Sequence, residues 1–145
     1  VDLSHGGSIF VLHVVSCALL TGLIWVIQLL HYPAFGLIQS EHFKTFHTFH
    51  SRKISYLVVP WMLLEFLTGV WLLKLSANQG FFRLNLFLIV LVWMSTFFLS
   101  VPLHSKLAEG ANPELVRRLV KTNWPRTFLW SGRLVLLLLF SMTQN

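Results

Sequence analysis

The chain has 145 residues, of which 55% are hydrophobic, 14% aromatic and 11% charged, with eleven Lys and Arg against five Asp and Glu. Soluble domains carry roughly twice that charged fraction, so the surplus apolar surface calls for the lipid bilayer as its partner. Disorder and a disulfide scaffold are excluded because apolar residues dominate and Cys17 is the sole cysteine; nucleic-acid binding is excluded because the basic residues lie between apolar runs with no recognition module.

The first apolar run extends from about Phe10 to Leu30, near the ~20 residues a helix needs to cross a bilayer. It does not read as a cleavable signal, since Asp2 and His5 precede it where Lys or Arg belong, and it is too long for an h-region. His5 is expected in a disordered, non-cytoplasmic terminus. Along the run, His13, Cys17, Thr21, Gln28 and His31 recur at steps that keep one azimuth, giving a polar stripe.

The second run, about Ile54 to Leu73, is preceded by Ser40 as a helix cap with Glu41 in the first turn. A helix from Glu41 to Leu75 is ~50 Å long, so its first three turns stand outside the hydrocarbon. His47 and Glu65 share an azimuth five turns apart, with His50 and Trp61 beside them. Pro60 removes a helix bond one turn before Glu65, freeing a carbonyl near Tyr56 and opening a small polar cavity.

The third run, about Leu84 to Val101, carries Trp93, Ser100 and His104 along one side. Asn112-Pro113-Glu114 then begins a short amphipathic helix whose Leu115, Val116, Leu119 and Val120 face the cytoplasmic lipid surface. Trp124-Pro125 restarts the chain, capped by Asn123 or Trp124, as the fourth run from about Thr127 to Ser141. That run presents Arg126, Trp130 and Arg133. The fold expected is all-α, a single domain over residues 1–145 forming an up-and-down four-helix transmembrane bundle with that amphipathic helix between helices 3 and 4.

Eight Lys and Arg flank the first and third connections, whereas Lys74 and Arg83 alone lie opposite. This bias places both connections in the cytoplasm and both termini outside. His31, His47, His50 and His104 then meet at the cytoplasmic end. The His47/His50 spacing puts two imidazoles on one face, and with His31 and His104 the set suits a transition metal, iron or copper, with zinc also accommodated. Interfacial histidines bonded to loop carbonyls or lipid phosphates are the structural alternative. Glu65 lies deeper and is expected to pair with Arg133, either as an ion pair that fixes packing or as an acid that moves protons. Trp71 and Trp124 are expected as interface anchors, and Trp25, Trp61, Trp93 and Trp130 as a lining for a flat lipophilic ligand.

The strings His31-Tyr32-Pro33, Phe46-His47 through His50 and Arg52, Pro60 with Glu65, Val101-Pro102-Leu103-His104 and Thr122-Asn123-Trp124-Pro125-Arg126-Thr127 resemble a family of small bacterial four-helix membrane proteins. That resemblance covers Leu30 to Arg133 and implies a bacterial inner-membrane fold with a shared site. More distantly, Val101-Pro102 closing a helix is similar to anthrone oxygenase-like membrane proteins, which implies oxidation of aromatic or polyketide-like substrates. His13 with Thr21-Gly22-Leu23 resembles the first helix of HemJ-type protoporphyrinogen oxidases, which would make His13 a haem ligand. The chain departs from that second pattern in having no histidine inside its third span.

Taken together, the residues point to a membrane-embedded metal-dependent oxidoreductase of a lipophilic small molecule. His31, His47, His50 and His104 are its metal ligands, Arg126 and Asn123 orient a polar or anionic group, and Glu65 and Arg133 tune the interior. The alternatives are a haem-binding membrane protein and a non-enzymatic accessory subunit, self-associated or docked in a larger membrane complex.

Overall fold

The computed structural model describes residues 6–143, so the expectation for His5 lies outside the described residues. Four long helices account for nearly all of it: α1, Gly6–Leu37, α2, Ser40–Leu75, and α3, Gln79–Leu107, followed by α4, Pro113–Thr143. The first three are long and apolar enough to cross a membrane. Successive helices run antiparallel, with α1 and α3 each packed against both α2 and α4. α2 and α4 therefore face each other across the diagonal.

The helix boundaries follow from local chemistry. Gln39 is extended immediately before α2, so Ser40 is the first helical residue and not the cap, and no side chain caps that end. Ser76 is extended at the other end, where its hydroxyl accepts a hydrogen bond from the Asn78 N–H at 3.1 Å. Asn112 caps α4 as expected, its side-chain oxygen accepting from the Leu115 N–H at 3.1 Å.

α4 departs from the sequence expectation, and α1 and α3 each carry an irregular turn. There is no separate amphipathic helix: the chain from Pro113 to Thr143 is one helix with Pro125 inside it. Val116 and Leu119 are buried in the core cluster, so the face expected to lie on lipid packs against the bundle. That packing offsets the hydrogen bond lost at Pro125, so neither Asn123 nor Trp124 begins a new helix. In α1 and α3 the regular ladder widens into a π turn at Ile27–His31 and again at Thr96–Ser100. The Tyr32 N–H reaches back to the Ile27 carbonyl, and the Val101 N–H to that of Thr96. Pro33 and Pro102 follow directly. A proline ring collides with the carbonyl one turn back, and one extra residue in that turn moves the carbonyl aside.

The inward faces hold an unusual share of polar groups, whereas the outward faces are apolar. Leu30, Leu67, Phe87, Phe98 and Leu139 are all exposed, and Trp71 is exposed as an anchor would be.

Candidate functional site

Midway along the bundle, one buried network takes a residue from every helix. Arg133 Nη1 of α4 donates to Glu65 Oε1 of α2 at 2.7 Å, with both side chains sealed from solvent. Trp130 Nε1 donates to the other carboxylate oxygen at 3.2 Å, and Arg133 Nε donates to Asn85 Oδ1 of α3 at 3.2 Å. Asn85 Nδ2 in turn donates to His13 Nε2 of α1 at 2.9 Å. His13 Nδ1 therefore carries the proton and donates to Thr68 Oγ1 at 2.8 Å. The expected Glu65–Arg133 pair is thus present, but Asn85 and Thr68 complete it and were not read from the sequence. His13 has both ring nitrogens engaged, and its ring is so close to Gly69 that a Cβ there would lie 3.3 Å from His13 Cε1 and 3.0 Å from Ile89 Cδ1.

The second constellation lies at the end of the bundle where the first and third connections run. His31, His47, His50 and His104 do converge there. His31 Nε2 and His50 Nδ1 are 2.6 Å apart, and His47 Nε2 and His104 Nδ1 are 3.0 Å apart. Tyr32 OH, 3.0 Å from His104 Nε2, joins the second pair. Phe35 is the hub of the packing, edge-on to His47, His50 and His104, while Phe43 stacks on His47.

Arg126 sets the direction of this chain. Its Nη2 donates to Asn123 Oδ1 and, at 3.4 Å, to Tyr32 OH. With its oxygen accepting from arginine, Tyr32 donates its own proton to His104 Nε2, and His104 Nδ1–H then donates to His47 Nε2. Asn123 Nδ2 donates to Gln28 Oε1 at 2.8 Å, and Gln28 donates onward to the Val120 carbonyl at 3.1 Å. Asn123 is therefore a support for Arg126 and does not line the cavity described next.

A cavity of 630 Å³ runs from this cluster into the gap between α2 and α3. Tyr32, His47, Ser51, Ser100, His104 and Arg126 form its polar end. Leu20, Ile24, Val58, Met62, Trp93 and Trp130 line the rest, and its exposed lining runs from Val59, Phe97 and Val101 to Thr48, Ser55 and Ser105 nearer the histidines. Of the four tryptophans expected to line a ligand pocket, Trp93 and Trp130 lie in the wall of this cavity. Trp61 lies outside the lining, and Trp25 instead donates to Ser131 Oγ at 3.0 Å and packs edge-on against Trp124.

The donor chemistry suits a transition metal, but the imidazole nitrogens face one another. Among the described residues, no group of three or more His, Cys, Asp or Glu is arranged to hold an ion. His47 Nδ1 and His50 Nε2 are the ring nitrogens of the cluster that are buried without a partner. Compared with protein-family models, with curated proteins and with solved structures, the chain matches none.

Proposed function

We propose that the protein is integral to a membrane and that its cavity binds a lipophilic small molecule entering sideways from the bilayer. The observation that carries this reading is the cavity itself, which opens between α2 and α3 on an apolar outer surface and ends at a polar cluster. Its volume is within the ~300–1,000 Å³ of small-molecule sites, which pair an apolar lining with a few placed polar groups. Histidine, tyrosine and arginine at the polar end orient the polar part of the ligand and exchange protons with it. The surplus of Lys and Arg around this end supports a cytoplasmic position for it.

Metal-dependent oxidation is the second reading, favoured by four imidazoles in ring contact with two unpartnered nitrogens. It requires the imidazoles to turn from each other toward an ion, which would then supply the redox chemistry.

Both readings are tested on detergent-purified protein. A fatty alcohol brominated at mid-chain is expected to quench tryptophan fluorescence with saturation at one molecule per chain. Val58→Phe, which fills the cavity, is expected to weaken that binding at least tenfold; unsaturable quenching, or none, overturns the proposal. Elemental analysis of the same sample, with and without His47→Ala, decides the second reading.

A further inference from the structure

Arg126 differs from Arg133 in one respect. Both guanidinium groups are buried, at 6% and 0% exposure, but Arg133 has the Glu65 carboxylate and Arg126 has only the neutral Asn123 and Tyr32. The other carboxylates among the described residues are Glu41, Glu109 and Glu114, all exposed, with Glu114 paired to Arg118. An arginine does not lose its proton in a protein, and an uncompensated buried charge is expensive. Arg126 Nε, moreover, has no partner at all.

That orphan atom is one of several. Eight buried side-chain polar atoms lack a partner among the described residues, and five of them belong to residues lining the cavity: Arg126 Nε, His47 Nδ1, Ser51 Oγ, Ser100 Oγ and Trp93 Nε1. Native interiors leave few such atoms unsatisfied, and a cluster of them around one space marks what a ligand satisfies. The guanidinium and indole nitrogens can only donate, and the hydroxyls are free to. The absent partner therefore accepts hydrogen bonds and carries the missing negative charge.

Resting on the reading of the cavity as a lipophilic-molecule site, we infer that its ligand is an anionic amphiphile. An oxyanion head, carboxylate or phosphate, sits on Arg126 and takes the Ser51 and Ser100 hydroxyls that line the same cavity. The apolar tail extends along Val58 and Met62 toward the gap between α2 and α3, and Trp93 Nε1 donates to an oxygen partway along it. The neutral bonds to Asn123 and Tyr32 hold the guanidinium in place, leaving its charge for the ligand.

The experiment compares two brominated probes of equal chain length, a fatty acid at a pH where it is ionised and the matching fatty alcohol, by saturable tryptophan quenching. The acid is expected to bind at least tenfold more tightly than the alcohol. Arg126→Gln is expected to erase that difference and Arg126→Lys to retain most of it, while Trp93→Phe reduces the saturable quenching amplitude. Inorganic phosphate without a tail is expected not to compete, whereas a monoacyl phosphate competes. Equal affinity for acid and alcohol in the unmodified protein overturns the anionic head while leaving the lipophilic site standing. An acid preference that survives in Arg126→Gln also overturns it, as does competition by inorganic phosphate alone. Failure of both probes to bind saturably overturns the site and the inference together.

Discussion

At Glu65 a carboxylate, a guanidinium and an indole meet with no water between them, and each depends on the others. Glu65→Ala leaves Arg133 charged, buried and holding only Asn85, a situation that costs about 3–5 kcal/mol. The variant is expected to unfold at markedly lower temperature or denaturant in detergent, and stability equal to that of the unmodified protein would remove the energetic role given to the pair. This pair was legible in the sequence because ionisable residues within apolar runs are few and must find one another. The convergence of the four histidines was legible for a similar reason, since each ends or begins a helix at one end of the bundle. Asn85, Tyr32 and Phe35 were not legible. A lone amide or aromatic ring on an apolar helix has no periodic partner to announce it, and its role exists only once the neighbouring helices are in place.

Among the elements, the two π turns matter most for the cluster. Each adds a residue to its turn, which rotates everything beyond it by about 100° relative to a regular helix. In α3 that rotation lies between Trp93 and His104, and in α1 it includes His31 itself. Pro102→Ala restores the missing N–H and allows α3 to close into a regular ladder. Helix content by circular dichroism is expected to hold or rise while binding of the brominated probe falls at least tenfold; unaltered binding would show that the turn does not place the site. The prolines were visible in the sequence, but their consequence was not, because proline is equally compatible with a kink, a stop or a widened turn. Pro125 shows the same ambiguity from the other side. The sequence pattern there predicts a restart, yet α4 continues through it because Val116 and Leu119 are held in the core.

For the whole molecule, the proposal fixes an orientation as well as a fold. With Cys17 replaced by alanine, a single cysteine at Asn78 is expected to react with a membrane-impermeant maleimide from outside intact cells. One at Ala111 is expected to react only after the membrane is opened, and the reverse pattern would invert the topology and put the histidine cluster outside. In a bilayer, the diagonal pairing of α2 with α4 also ranks the helices by independence. Under the proposed membrane placement, α1, α2 and α3 are long and apolar enough to cross by themselves, but α4 brings Arg133, and an arginine at mid-depth costs ~2.5–3.5 kcal/mol to insert. Glu65 and Asn85, already buried on α2 and α3, are what offset that cost. On that proposal the fourth helix is a conditional passenger, admitted to the membrane by groups that the first three carry. The clustered histidines all belong to the first three helices, but the cavity gains Arg126 and Trp130 only when that last helix has taken its seat.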